Sequence, residues 1–156
     1  MKQKLVGAPL PAVELVASLG RRCCLEDLGL GWVVIYLYPG SPGQAEADAA
    51  EHRAFGDLER EFSERGVKIA GLSSQTPREQ EALVARERIC HLMLADPGLE
   101  LARALNVLSL VSGAEGTYRR AALVCRLLTI RAVLTVSEPA RAGGQVLAWM
   151  TLAGVA

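Results

Sequence analysis

The stretch with the clearest chemical potential is Pro39-Gly40-Ser41-Pro42-Gly43-Gln44. It joins an apolar run to a helical pattern. A helix that opens there offers free N–H groups and the positive end of its dipole. A thiol at that point would ionise readily and become a nucleophile. The residue present is Gln44, whose amide donates and accepts hydrogen bonds but neither attacks nor titrates. Gln44 therefore reads as a ligand-bonding group or as an inert cap. Ser41 has the same two readings: a donor to a bound oxygen, or a loop hydroxyl bonded to its own backbone.

Arg119 and Arg120 open a later strand, where adjacent side chains point to opposite faces. One of the two is expected to turn inward, and a buried guanidinium requires a carboxylate, an anion or helix ends. The chain has four cysteines, Cys23, Cys24, Cys90 and Cys125, and two histidines, His52 and His91, with no C-x-x-C and no zinc spacing. No metal and no cofactor is expected. Cys24 and Cys125 read as small core residues. Cys90 is expected to be the most exposed, and neighbours such as Cys90-His91 point apart on extended backbone. His52, inside Glu51-His52-Arg53, reads as a solvated helix residue.

The elements that must hold these groups follow from pattern. Gly7 to Pro11 is extended. Val13–Ala17 and Arg21–Leu25 form a hairpin about Ser18-Leu19-Gly20. Leu25 to Leu28 makes one helical turn, ended by Gly29. Trp32 to Leu37 is a strand buried on both faces. Gln44 to Arg65 is one amphipathic helix, with Ala47, Ala50 or Glu51, Ala54, Leu58 and Phe62 on its inner face and Phe55 beside them. Val67 to Leu72 is a strand. Thr76, Pro77 and Glu79 form a capping box for a helix that runs to about Arg88. Leu92 to Leu94 is a strand, Leu99 to Leu105 a short helix and 106–118 a loop. Ala121 to Cys125 and Ile130 to Val136 pair antiparallel, although Arg126-Leu127-Leu128-Thr129 lacks the usual hairpin residues. Pro139 precedes a last helix bearing Val146, Leu147 and Met150, with Trp149 beside them.

This order predicts an α/β protein: a mixed sheet flanked by helices, with an N-terminal hairpin, in one domain spanning 1–156. Apolar residues make up 51% of the chain, and 17 basic residues balance 17 acidic ones. That balance argues against nucleic acid as a partner. No stretch has the length and apolarity to span a membrane, and the first residues make a poor signal peptide. A cytoplasmic location is the default expectation.

Taken together, several segments resemble the peroxiredoxins (AhpC/TSA), in particular the bacterioferritin-comigratory or PrxQ type. They are Gly7-Ala8-Pro9-Leu10-Pro11, the Leu25–Leu28 turn, Val33 to Pro39, GVKIAGLSSQTPREQEAL, LADPGLELARALNV, TYRRAALV and VLAWM. The resemblance implies a thioredoxin-like fold and the activity of a thioredoxin-dependent thiol peroxidase, an antioxidant oxidoreductase. The family loop, P-x-x-x-T/S-P-G-C, places Pro39 on its proline, Ser41 on its Thr/Ser and Gln44 on the peroxidatic cysteine. Arg120 matches the family arginine. The loop is two residues shorter here, and Ala49 stands where a resolving cysteine can lie. The resemblance therefore carries the fold but not the thiol that reacts with peroxide.

Two functional classes remain open: a non-catalytic relative, or a different enzyme or ligand-binding protein that uses a pocket lined by Tyr38, Ser41, Gln44 and Arg120. A small oxygenated or anionic ligand near Gln44 and Arg120 is the partner expected there. A thiol peroxidase working through Cys90 would need that thiol beside Arg120. A homodimer, with Tyr38, Trp149 and the 106–118 loop as contact residues, is also an expectation.

Overall fold

The computed structural model describes residues 5–28, 30–113 and 116–155. Gly29, expected to end the first helical turn, and the two lysines of the first four residues lie outside these. The chain order is β1 (Glu14–Ala17), β2 (Arg22–Cys24), β3 (Trp32–Leu37), α1 (Ala45–Asp57), α2 (Glu59–Glu64), β4 (Val67–Ser73), α3 (Pro77–Glu87) and β5 (Leu92–Ala95). Then follow α4 (Glu100–Leu105), β6 (Val111–Ser112), β7 (Thr117–Tyr118), β8 (Ala121–Arg126), β9 (Thr129–Thr135) and α5 (Ala142–Leu152).

Seven strands form one sheet in the order β2-β1-β5-β4-β3-β8-β9. The three central strands β5, β4 and β3 run parallel, and the flanking pairs are antiparallel. β3 is the axis. Val33, Ile35 and Leu37 face one apolar layer with Leu72, Leu94, Leu101 and Leu123. Val34 and Tyr36 face the other with Phe55, Phe62, Met93, Val146 and Met150. Helices cover both faces, so a strand that is apolar at every position is stable only here.

The Thr76 cap holds as expected: its hydroxyl accepts from the Glu79 N–H at 3.2 Å, and Glu79 Oε1 accepts from the Thr76 N–H at 3.0 Å. Asp96 anchors α4 by accepting from the N–H groups of Glu100 and Leu101 and from the Tyr118 hydroxyl at 2.6 Å.

Three readings need correction. The helix expected from Gln44 to Arg65 is two helices, broken where Leu58 leaves helical geometry at φ −104°, ψ 7°. The 106–118 segment contains a short hairpin, β6 with β7. His52 is 2% exposed, not solvated, because α1 buries a stripe of Asp48, Glu51, His52 and Phe55 against the sheet. Those positions have helical spacing i, i+3, i+4, i+7, but the stripe is mostly polar.

The β8–β9 hairpin does form, through Leu127 and Leu128 at φ 52° and 59°. Two left-handed residues are what the right-handed strand twist demands, and leucine is a poor occupant. Replacing the pair by Asn-Gly (L127N/L128G) is expected to raise stability by about 1–2 kcal/mol. The urea midpoint should rise with unchanged m. An unchanged or lower midpoint would show that the leucines are not strained.

Candidate functional site at the end of β3

β3 stops at Leu37, and the loop that follows is held down from three sides. Gly40 has φ 69°, and a Cβ there would lie 2.6 Å from Gln75 Cγ, so this position requires glycine. Gln75 Oε1 accepts from the hydroxyls of Tyr38 and Ser73, each at 2.9 Å. Gln80 Nε2 donates to the Tyr38 oxygen at 3.3 Å and to the Leu94 carbonyl at 2.8 Å. Burial pushes the Tyr38 phenol well above its ordinary range, so it stays protonated. The Gly40 N–H donates to Asp48 Oδ2 at 3.1 Å.

Gln44 then sits at the N-cap of α1, at the end of a one-turn 3-10 segment (Pro42–Gln44). It is exposed, and its amide makes no cap hydrogen bond. Instead Gln44 Oε1 accepts from Arg120 Nη2 at 3.0 Å. The same nitrogen donates to Asp48 Oδ1 at 2.6 Å, and Arg120 Nη1 donates to Glu51 Oε1 at 2.9 Å. Arg120 is the inward member of its pair, with a side chain 10% exposed, while Arg119 points outward. Asp48 and Glu51 are almost fully buried.

One guanidinium charge faces two carboxyl groups. Burial pushes Glu51 up to about 8, against the pull of Arg120, and it raises Asp48 as well. Glu51 Oε2 has no hydrogen-bond partner. One guanidinium is therefore shared between two buried carboxyl groups, both raised by desolvation and both bonded to it.

The sequence places Pro39, Ser41, Gln44 and Arg120 near one another, and the fold brings Gln44 and Arg120 into contact. Tyr38 is fully buried, so it offers no surface to a partner chain. Trp149 packs edge-on against Trp32, with ring centroids 6.4 Å apart. The cavity beside the loop, about 340 Å³, is lined by Ser41, Asp48, Gln75 and Arg86 among others, and neither Gln44, Tyr38 nor Arg120 borders it. Asp48 and Glu51 were missed as site residues. Their only sequence signal was a pair of acids at i, i+3 opposite a strand-opening arginine.

Cys90 is not near this site. Ile35 pairs with Ala70 and Ala70 with Leu92, so Cys90 lies at the other end of the sheet from Arg120. The offset is roughly 15–20 Å at about 3.3 Å per residue. Among the cysteines, burial pushes Cys125 up to about 12. Desolvation raises Cys23, with help from Asp27, and raises Cys24 against a lowering hydrogen bond from the Glu26 backbone. Iodoacetamide at pH 7.5 is thus expected to label exposed Cys90 first and Cys125 last, read by time-resolved peptide mass spectrometry. Faster labelling of Cys125 would contradict this order.

No helix among the described residues is long and apolar enough to cross a membrane. Solved structures share this architecture. A Cys-to-Ser variant of PrxQ from Xylella fastidiosa superposes with a TM-score of 0.81, 18% identity and 96% coverage of both chains. The peroxidoxin BcpB of Mycobacterium tuberculosis gives 0.80 at 22% identity, covering 94% of this chain and 96% of that one. The fold is therefore the thioredoxin-like peroxiredoxin fold. The 1-Cys peroxiredoxin PER1 of Hordeum vulgare is 25% identical over 109 residues, 65% of this chain and 49% of its own length. The 1-Cys peroxiredoxin A of Oryza sativa subsp. japonica is 26% identical over the same length. This chain spans about half the length of these relatives. The model of the AhpC/TSA family matches residues 6–133, most of the sheet and the whole Gln44–Arg120 site, and the chain belongs to that family.

Proposed function

We propose that this protein is a peroxiredoxin relative that does not run the thiol peroxidase cycle and works instead by binding or interaction. The observation that carries the reading is the Arg120 cluster. A peroxidatic thiol would need Arg120 and the helix N-terminus to hold it as a thiolate. Here the guanidinium donates to Gln44, Asp48 and Glu51 instead. An incoming anion would meet a guanidinium already bonded to two acids rather than a free positive charge. That favours a neutral oxygenated ligand over an anionic one at Gln44.

The direct test is peroxide consumption with thioredoxin or dithiothreitol as reductant. No turnover above that of an ordinary free thiol is expected. Robust turnover lost on replacing any one of the four cysteines would sink this reading.

A second experiment tests the electrostatic cause. Gln44→Cys alone is expected to give a thiol near the ordinary value of about 8.5, because Arg120 is already bonded to two acids. Adding Asp48→Asn together with Glu51→Gln removes both acids from the guanidinium and should lower that thiol by about one unit or more. Titrating the thiolate absorbance at 240 nm measures both. A low pKa in Gln44→Cys alone would mean that Arg120 still serves position 44.

A further inference from the structure

Deep in the second apolar layer the Tyr36 hydroxyl lies 2.8 Å from His52 Nδ1 and 2.7 Å from His91 Nε2, sealed from solvent. The margin of the same layer is open. Trp32, the first residue of β3, is half-buried and packs against Trp149 of α5. Two guanidinium groups lie over the Trp32 ring, with Arg126 Cζ 5.3 Å and Arg131 Cζ 5.8 Å from its centroid. Arg126 reaches the ring as the cross-strand partner of Trp32. Arg131 reaches it from a bulge. Val124 pairs with Ala132 and Cys125 with Ile130, so Arg131 is the extra residue of β9, and a bulge re-aims the side chain it carries.

Both arginines are exposed, and neither meets a carboxylate among the described residues. They lie no more than about 11 Å apart, so their positive fields overlap at physiological salt. The adjoining surface is apolar. Leu30 is 65% exposed and Leu127 57%, and the Leu127 N–H donates to the Leu30 carbonyl at 3.0 Å. A lone exposed leucine is ordinary. These two adjoin, and Leu127 also holds left-handed backbone at φ 52°. A strained residue that leaves most of its side chain in water returns little to folding. Strain of this kind persists where a function uses it. Tryptophan and arginine beside exposed apolar side chains are the composition of a binding hot spot.

The chemistry of the surface selects its partner. Two cations are too few for a nucleic-acid backbone, where roughly six to ten phosphate contacts are usual. They are also too few for an anionic membrane, which is recognised by clusters of roughly four to eight basic residues. A phosphate backbone has no aliphatic group to cover Leu30 and Leu127. A protein segment with both acidic and aliphatic side chains matches every part. Acids two or three residues apart on an extended segment span the two guanidinium groups, at about 3.3 Å per residue.

We propose that the Trp32 end of the sheet is a docking surface for an acidic protein segment that also carries aliphatic side chains. Arg126 and Arg131 hold its carboxylates, and Leu30 and Leu127 its apolar groups. The surface lies at the opposite end of β3 from Gln44, roughly 17 Å away along the strand at about 3.3 Å per residue. It does not depend on whether the loop carries peroxidase chemistry.

The test is selection from a random dodecapeptide display library on the whole immobilised protein. The selected peptide is then titrated in solution by fluorescence anisotropy. Selected sequences should combine Asp or Glu with Leu, Ile or Val, and bind one to one, more weakly as salt rises. Arg126→Glu with Arg131→Glu should weaken the peptide at least tenfold. Arg126→Gln with Arg131→Gln serves if the charge reversal fails to fold. L127N/L128G should also weaken it at least tenfold, although that variant is expected to be the more stable one. Lost binding in a stabilised chain separates docking from a merely structural role. The proposal is overturned if no peptide is enriched, if the enriched sequences lack acidic residues, or if binding survives either pair of substitutions. A DNA duplex or a phosphatidylserine vesicle that binds more tightly and displaces the peptide would also overturn it. So would self-association of the chain that excludes the peptide and is lost in the same variants.

Discussion

Arg120→Met is expected to lower folding stability by about 3–5 kcal/mol at pH 8, the loss typical of stranding a buried charge. Urea denaturation with unchanged m would measure it. The arginine is the only cation bonded to Asp48 and Glu51 among the described residues, and both acids are nearly inaccessible to water. Removing it leaves two carboxyl groups that must stay neutral in the fold. Their folded-state pKa values then rise further, so the folded chain holds protons that the unfolded chain releases. The damage should therefore grow with rising pH and be clearly smaller at pH 5 than at pH 8. Adding Asp48→Asn and Glu51→Gln to Arg120→Met should recover most of the loss, because neutral amides need no counter-charge. A loss below about 1 kcal/mol, typical of an exposed ion pair, would show that the cluster is solvated in solution.

The wild-type chain should be most stable near pH 6.5 and lose stability on both sides. His52 and His91 titrate at about 3 and about 4 in the fold, against an ordinary value of 6.5. Their neutral burial is fully effective above 6.5. As the pH falls below that, the unfolded chain takes up protons that the folded chain refuses, and stability drops. Each histidine contributes a slope of up to about 1.4 kcal/mol per pH unit, and the pair about 2.7. Glu51 works in the opposite sense. Its folded value of about 8 lies above its ordinary 4.5, so its contribution is complete below 4.5 and fades as the pH rises through 8. Asp48 is displaced in the same direction. Between 4.5 and 6.5 the acids offset part of the histidine slope, and below 4.5 the histidines act almost unopposed. For a domain holding about 5–15 kcal/mol, unfolding near pH 4 is expected. His52→Gln should flatten the acid limb by up to about 1.4 kcal/mol per pH unit. A stability curve that is level from pH 7 to 4.5 would mean that water reaches both rings.

These two results concern buried polar residues whose partners local pattern does not show. Apolar spacing selects Ala47, Ala50 or Glu51, Ala54, Leu58 and Phe62, with Phe55 beside them, whereas the face α1 buries is Asp48, Glu51, His52 and Phe55. The usual rule that charged residues face water fails here because each buried group meets a partner from elsewhere in the chain. Arg120 lies 69 positions from Glu51 and 72 from Asp48, and His91 lies 55 from Tyr36.

The sequence by itself determined the order of the seven main-sheet strands, the Thr76–Glu79 cap, the fully buried β3 and the glutamine at the mouth of the loop. Each depends on contacts within a few residues or on a motif held in one segment. Only the tertiary structure decided that Arg120 is already matched by acids and that Tyr36 joins two histidines. It also decided that Cys90 lies at the far end of the sheet. The reason is that strand register and helix docking set the surroundings of a polar side chain. Those surroundings determine whether it stays charged, and therefore what it can bind.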